Sequence, residues 1–202
     1  MTLVTSIAEL EAIYGERSEA AMAKVATRLT EGYRRMVELS PLVALATCGP
    51  EGLDCSPRGD PGQVLTIRDD TTLILPDRRG NNRIDSLRNI VRDDRVGLLF
   101  FIPGSDSTLR INGRAVISVD PALLETLAMD GKPPRSAIII TVGEVYFQCA
   151  RALMRARIWD REAWPAAGSV PSAGSLLKQL KAEFDAESYD QAWPERAKAT
   201  MW

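Results

Sequence analysis

The sequence predicts a mainly β fold with flanking helices, arranged as an antiparallel barrel or sandwich. Three observations lead to this prediction. The spacing of apolar residues changes from about 3.6 to 2 near residue 42, which is typical of a change from helices to strands. Short apolar runs then follow one another through tight turns rich in glycine, proline and aspartate. Residues 108–117 alternate cleanly, with apolar side chains on one face and polar ones on the other.

Two helices are expected before the strands. Ser6 and Glu9 form a capping box for a short helix that ends at Gly15. Apolar residues at helical spacing predict a second, longer helix over 19–39, which Pro41 ends. We expect one domain, with N-terminal helices over 1–40, a β core over 41–159 and a C-terminal helical extension over 160–202.

The β core is expected to contain short strands joined by turns. The run at 96–102 is apolar on both faces, which indicates a central strand. A small helix is expected from about Asp120 to Met129, and another after the last strand. The expected strands cover 42–48, 53–58, 63–67, 72–75, 96–102, 108–117 and 136–147.

The composition excludes several classes of protein. The chain of 202 residues has 25 lysines and arginines against 27 acids, a formal charge of -2, so neither a nucleic acid nor a membrane surface is an expected partner. No apolar run reaches about 18 residues, and no basic-then-apolar leader is present. We therefore expect a soluble, cytoplasmic protein.

Histidine is absent, which excludes Ser-His-Asp and Cys-His relays and any histidine-ligated metal. The three cysteines are odd in number and lack a Cys-x-x-Cys pair, which argues against a disulfide framework or a zinc site. Cys48 and Cys55 flank a tight turn and could face each other across a hairpin, although buried thiols are the favoured interpretation. An enzyme of this composition needs an organic cofactor for most of its chemistry.

A basic turn between a strand and a helix is the first candidate for a binding site. Asn82 is the expected N-cap of this helix, with Asp85 as its capping-box partner. Backbone N–H groups at a helix start, placed beside guanidinium groups, suit a dianionic phosphate. The alternative is a solvated basic turn before an amphipathic helix. The turn carries Arg78, Arg79 and Arg83, and the expected apolar face of the helix consists of Ile84, Leu87 and Val91.

Arginines recur at two further places. Arg58 ends a strand within Ser56-Pro-Arg-Gly-Asp60, and Arg110 and Arg114 project from the strand at 108–117. A phosphate neutralised by two or three guanidiniums would explain this density. Surface ion pairs, each worth little, are the alternative. The aspartates that could form them are Asp60, Asp69, Asp70, Asp77, Asp85, Asp93 and Asp94.

Several stretches together resemble a known family. They are ALATCGPEGLDCSPRGDPG, LILPDRRGNNRIDSLRNIVRDDRVGLLF, LRINGRAVI and the tail CARALMRARIW, and they span about 42–159. This combination is similar to the pyridoxamine 5'-phosphate oxidase-related FMN-binding split-barrel proteins, and to an FMN-dependent branch of them. The resemblance implies a six-stranded antiparallel split barrel that forms a homodimer, with one FMN in each of two clefts at the subunit interface.

The resemblance also implies residues around the FMN phosphate. Arg58, with Ser56 in the same motif, matches a strand-end arginine near the phosphate and the ribityl chain. Asn81, Asn82 and Arg83 match the turn and helix start that hold the phosphate.

Other cofactor-binding positions follow from the same resemblance. Leu75 and Pro76 match a pair whose backbone runs beside the isoalloxazine ring. Thr108 falls where the partner subunit offers a polar side chain to the flavin. Arg155 and Trp159 match tail positions that approach the cofactor across the interface.

The expected function is FMN-dependent oxidoreduction, with hydride passing between a small-molecule substrate and flavin N5. Pyridoxamine phosphate oxidases proper place an arginine and a histidine on the substrate, and this chain has no histidine, so we do not expect vitamin B6 oxidation. A flavin-binding or flavin-storage module without turnover is one alternative. A split barrel that uses a deazaflavin is another, whereas haem bound through an axial histidine is excluded.

Overall fold

The computed structural model describes residues 1–201. A short 3-10 helix at Arg161–Ala163 accompanies the regular elements. The strands are β1 (Leu42–Gly49), β2 (Gly52–Gly59), β3 (Thr66–Ile67), β4 (Thr72–Pro76), β5 (Arg95–Phe101), β6 (Thr108–Ser118) and β7 (Ala137–Gln148). The helices are α1 (Ile7–Tyr14), α2 (Glu19–Ala23), α3 (Glu31–Glu38), α4 (Asp85–Arg92), α5 (Pro121–Thr126), α6 (Arg151–Ala156), α7 (Ala173–Leu180), α8 (Ala186–Gln191) and α9 (Trp193–Thr200).

The strands form one antiparallel sheet in the order β2-β1-β5-β6-β7-β4-β3. The predicted mainly β, antiparallel class with flanking helices is confirmed. Over residues 1–201 the sheet has seven strands, where the resemblance implies six, and β3 is only two residues long. In the described chain β2 and β3 each pair on one side, so strand pairing does not close the sheet.

The main core lies on one face of this sheet, and a second, smaller apolar cluster lies beside α5. On β6, Leu109, Ile111 and Ala115 are buried while Arg110 and Arg114 are exposed, as the alternation predicts. Each large apolar side chain removed from water in this way stabilises the fold by roughly 1.5–3 kcal/mol. Neighbouring strands and helices α3 and α4 fill the same core with Val37, Val43, Leu45, Leu73, Leu75, Ile90, Leu98, Phe100, Ile138 and Ile140.

A bulge bends the pairing between β6 and β7. Asn112 pairs with Glu144 and Gly113 with Val142, so Gly143 has no partner across the ladder. A Cβ at Gly113 would lie 2.2 Å from the carbonyl oxygen of Thr141. The close approach of the two backbones therefore requires glycine at this position.

The predicted helix over 19–39 is wrong, because the chain breaks it into α2 and α3. Between them, Ala26 exchanges backbone hydrogen bonds with Val145, at 3.0 and 2.7 Å, and extends the sheet beside β7. Leu29 N–H donates to the carbonyl of Asp70 at 2.7 Å. Thr30 then caps α3 with its side chain. Tertiary backbone hydrogen bonds thus override a helical apolar spacing.

Two smaller expectations also change. Of the strand expected over 63–67, only Thr66–Ile67 pairs. Cys55 and Cys149 are exposed rather than buried, and Cys48 is half-buried. Cys48 pairs with Leu53 while Cys55 pairs with Ala46, so the two cysteines do not face each other across the hairpin.

The helices at the two ends contribute little to the core. α1 and α2 bury none of their residues, and α7 buries only Gly174. Ser6 caps α1 as predicted, since Ser6 Oγ accepts from the N–H of Glu9 at 3.2 Å, while Glu9 Oε2 accepts from the N–H of Thr5 at 2.8 Å. In the described part of the chain, no helix combines the length and the apolar character needed to cross a membrane.

Candidate functional site

Alternate residues of β2 present a polar face to the start of α4. Asp54, Ser56 and Arg58 are half-buried, while the residues between them are exposed. Opposite them lies Ser86, in the first turn of α4, with only 2% of its surface exposed. The hydroxyl of Ser86 donates to Asp54 Oδ2 at 2.5 Å and lies 3.0 Å from Ser56 Oγ.

Arg58 connects β2 to the segment that follows β4. Its Nη1 donates to Asp77 Oδ1 at 2.6 Å, and its Nη2 donates to Ser86 Oγ at 3.1 Å. The side chains of Arg58 and Asp77 are 20% and 19% exposed, so this ion pair is largely shielded from water. Arg58 Nε is buried and has no hydrogen-bond partner among residues 1–201. A buried donor without an acceptor is costly and is a feature expected where a ligand supplies the acceptor.

A second ion pair joins the same two segments with the charges reversed. Arg78 Nη2 lies 2.8 Å from Asp60 Oδ2, and the side chain of Asp60 is only 4% exposed. Arg78 Nη1 also donates to the carbonyl of Leu127, just after α5, at 2.7 Å. These pairs hold the end of β2 against the turn after β4. They therefore connect two parts of the sheet that are not joined by strand pairing.

The start of α4 differs from the prediction. Asn82 is not the N-cap, because the helix begins at Asp85 and the capping position is Ile84. Ile84 and Asn82 have φ of +55° and +60°, and a left-handed conformation is unusual for a β-branched residue such as isoleucine. No side chain in residues 1–201 caps α4, so its first-turn N–H groups are not used by a capping residue.

The buried face of α4 also differs from the prediction, since Ile84 precedes the helix and the buried residues of the helix are Ser86, Asn89 and Ile90. Ile84 and Val91 are exposed. Leu87 packs against the core, and Ile90 is buried within it.

Arg83 lies in the turn beside this helix start. Its side chain is 75% exposed, and Nε donates to Asp85 Oδ2 at 2.8 Å. Its backbone N–H donates to Asn81 Oδ1 at 3.1 Å, which shapes the turn. The hydrogen bond to Asp85 is the main cause of a raised pKa of Arg83, and the charge of Asp54 contributes further. Arg83 is therefore held by Asp85 at the start of α4.

A small basic cavity adjoins the other side of the turn. Its volume is about 180 Å³. Arg135 Nη1 donates to Asn82 Oδ1 at 3.2 Å and so connects the loop after α5 to the turn. A concentration of cations of this kind favours the binding of anions. The cavity is lined by Arg78, Arg79, Lys132, Pro133, Pro134 and Arg135.

Five of the predicted cofactor-binding residues are not part of this cluster. Two of them lie in the strand that leads to it, and three lie elsewhere in the fold. Leu75 and Pro76 are buried at the end of β4, where they pair with β7 and lead directly to Asp77. Thr108 is 6% exposed at the start of β6. β6 is three strand spacings from β2, about 14 Å along the sheet. Trp159 Nε1 donates to the carbonyl of Ser105 at 2.8 Å, at the same end of β6 as Thr108, and Arg155 is exposed on α6.

The sequence interpretation missed several residues of the cluster. Ser86 gave no signal beyond its place in a helix start, and its contacts to β2 span about thirty residues of sequence. Asp77 was considered only as a partner in surface ion pairs, although its pair with Arg58 is mostly shielded. Lys132 and Arg135 were not among the predicted site residues, although both line the cavity beside the turn.

The fold and the site define an antiparallel β protein with an arginine-rich turn at a strand-to-helix junction. The sequence profile of the pyridoxamine 5'-phosphate oxidase family matches residues 29–149. The chain belongs to this family. No curated protein matches the sequence significantly.

Solved structures with a similar arrangement come from several bacteria. A candidate pyridoxamine 5'-phosphate oxidase from Lactobacillus delbrueckii is 21% identical, with a TM-score of 0.49, over 60% of this chain and 95% of its own. HupZ from Group A Streptococcus is 18% identical, with a TM-score of 0.46, over 58% and 91%. A protein of the pyridoxinephosphate oxidase family from Clostridium acetobutylicum is 19% identical, with a TM-score of 0.46, over 58% and 85%.

The donors in the cluster suit a phosphate group. Arg58 offers a buried Nε with no acceptor in the described chain, Arg83 offers an exposed guanidinium, and α4 offers uncapped N–H groups. Ionised phosphate oxygens accept from such donors with short, charge-assisted bonds. The acids nearby already have partners, because Asp77 binds Arg58 and Asp54 binds Ser86.

Proposed function

We propose that this protein binds FMN through the turn between β4 and α4, and that it is an oxidoreductase. It passes a hydride between a small-molecule substrate and the flavin. The observation that carries the proposal is the state of Arg58. Asp77 and Ser86 fix its guanidinium at the start of α4 while Nε has no acceptor among the described residues.

The proposed phosphate contacts divide into three kinds. Arg58 donates from a shielded position, so its contribution is strengthened by the low local dielectric. Arg83 donates from an exposed position, where the phosphate replaces Asp85 as its partner. The Arg83–Asp85 pair that is given up is exposed and therefore weak. The first-turn N–H groups of α4 add the positive end of the helix dipole.

Flavin supplies the position that accepts a hydride, so the protein needs to bind and orient it rather than provide an acid–base relay. The absence of histidine is compatible with this role. It is also the reason that we propose a substrate other than vitamin B6.

A homodimer is part of the proposal. Thr108 and Trp159 lie at one end of β6, about 14 Å along the sheet from β2. A contact between these residues and a flavin held at Arg58 is therefore expected to come from a second copy of the chain. FMN would then lie between the two subunits, as the family resemblance implies.

Titration of the purified protein with FMN, riboflavin and a deazaflavin tests the binding part of the proposal. FMN should bind more tightly than riboflavin, because only FMN carries the phosphate. Failure to bind FMN would overturn the proposal. Tighter binding of the deazaflavin than of FMN would show that the deazaflavin, and not FMN, is the cofactor. Reduction of the bound flavin by NADH or NADPH, followed by a screen of oxidants, tests turnover. A flavin that no donor reduces would indicate storage instead of catalysis.

A further inference from the structure

A single buried hydroxyl organises the polar cluster. Ser86 is 2% exposed and contacts three side chains of β2. It donates to Asp54 at 2.5 Å, lies 3.0 Å from Ser56 Oγ, and accepts from Arg58 Nη2 at 3.1 Å.

These three contacts use the full hydrogen-bonding capacity of the hydroxyl. A serine hydroxyl has one proton to donate and two lone pairs that accept. Because an ionised carboxylate only accepts, the proton of Ser86 points at Asp54, and Ser56 must be the donor in its contact with Ser86. The acceptor sites that remain hold Ser56 and Arg58. Each direction in the cluster is thereby fixed, and no rotation of Ser86 preserves all three contacts.

Arg58 is consequently held at both ends of its guanidinium. Asp77 binds Nη1 and Ser86 binds Nη2, which fixes the plane of the group. Guanidinium has five N–H groups in a rigid fork. With two of them committed to these partners, the buried Nε–H keeps a defined direction.

We propose that Ser86 is a positioning residue that fixes Arg58 for the anionic phosphate of the bound flavin. This inference rests on the proposed function and extends it to a residue that does not itself need to touch the cofactor. A preoriented arginine loses less conformational freedom when the phosphate binds, which increases affinity. The effect of Ser86 on FMN is therefore exerted through Arg58.

The first experiment compares FMN and riboflavin affinities of four proteins. Ser86→Ala should weaken FMN about tenfold, since a contact to a charged donor is lost, and should change riboflavin affinity less than twofold. Ser86→Thr keeps the hydroxyl and should retain most of the FMN affinity. Ser56→Ala is the matched control, because Ser56 contacts Ser86 but not Arg58. It should have a smaller effect than Ser86→Ala.

A double-mutant cycle tests the route through Arg58. In an Arg58→Ala background, Ser86→Ala should change FMN affinity less than twofold. A full additional loss in that background would overturn the proposal, as would an equal loss of FMN and riboflavin affinity in Ser86→Ala alone. If Ser86→Ala does not fold, Asp77→Asn releases the other end of Arg58 and should show the same FMN-selective, non-additive loss.

A measurement without flavin separates this proposal from the proposed function. The Arg58 Nε–H resonance in the NMR spectrum can be assigned by its absence from Arg58→Lys. It should be sharp in the wild type. It should be broadened strongly in Ser86→Ala and Asp77→Asn, and less in Ser86→Thr. An unchanged resonance in Ser86→Ala would show that Ser86 does not position Arg58. A sharp resonance in a wild-type protein that fails to bind FMN would show that Arg58 is positioned but does not serve a flavin. The proposal as stated would then be wrong.

Discussion

Replacing Arg58 by alanine is the most informative perturbation of the cluster. The change removes the donor to Asp77 and Ser86 and the buried Nε–H proposed to bind phosphate. A charge-assisted hydrogen bond contributes about 1.5–3 kcal/mol, and about 1.4 kcal/mol corresponds to a factor of ten. FMN affinity should therefore fall about 10- to 150-fold.

The protein without flavin should also lose stability. Asp77 would keep its charge in a position that is only 19% exposed, with no partner to replace Arg58. Leaving a polar group of this kind unsatisfied costs about 1–3 kcal/mol. A thermal melt without ligand measures this loss separately from the loss of affinity.

Fluorescence titration of Arg58→Ala with FMN and with riboflavin measures the affinity change. Riboflavin lacks the phosphate, so its affinity should change less than threefold. Arg88→Ala is the control, because it removes the same charge from an exposed position on α4. An equal loss for both ligands, or an equal effect of Arg88→Ala, would refute the assignment of Arg58 to the phosphate.

Three further predictions concern the turn and the loop after α4. Arg83→Ala should weaken FMN about tenfold without affecting riboflavin, since its exposed pair with Asp85 is weak and easily exchanged for phosphate. Ile84→Asn should stabilise the protein by about 1 kcal/mol in a thermal melt, because asparagine tolerates the left-handed backbone at φ +55°. Hydrogen bonds from Arg95 hold the pKa of Asp93 well below its ordinary value of 3.8. The stability from this pair is therefore present above about pH 3.8 and is lost as the pH falls through the lower, folded-state pKa. Asp93→Asn should lose stability at neutral pH and show a smaller further loss in acid, as measured by denaturant titrations across pH.

Each of these predictions has a result that contradicts it. A loss of riboflavin affinity equal to that of FMN would remove Arg83 from the phosphate site. Val91→Asn, at an exposed helical position of α4, is the control for Ile84→Asn and should not stabilise the protein. Equal stabilisation by both would show that the backbone at Ile84 is not strained. Parallel pH curves for wild type and Asp93→Asn would show that this carboxylate does not contribute to acid sensitivity.

The strands were predictable because each depends on a local pattern. The alternation on β6 reflects one buried and one exposed face, and the tight turn between β1 and β2 ends at Gly52, whose φ is +128°. The helix over 19–39 failed for a non-local reason. Ala26 pairs with Val145, nearly 120 residues further along the chain, and no spacing within the N-terminal segment reports that partner.

The candidate site was predictable only as a set of cationic positions. Arg58 and Arg83 lie in recognisable motifs, where Arg58 donates to Ser86 and Arg83 lies in the turn before α4. The partners of these arginines depend on the packing of β2 against the turn after β4. The sequence does not record this packing, so Asp77 remained one of many possible partners and Ser86 was missed. The predicted cap of α4 is wrong because the helix begins at Asp85, and the Asn82 side chain accepts from Arg135 instead.

A crystal structure of the protein with FMN would decide whether the cluster at α4 holds the phosphate. We expect the FMN phosphate at the first turn of α4, within hydrogen-bond distance of Arg58 Nε and of the Arg83 guanidinium, with Ser86 still bound to Arg58. A phosphate bound elsewhere, with Arg58 still lacking an acceptor for Nε, would contradict this expectation.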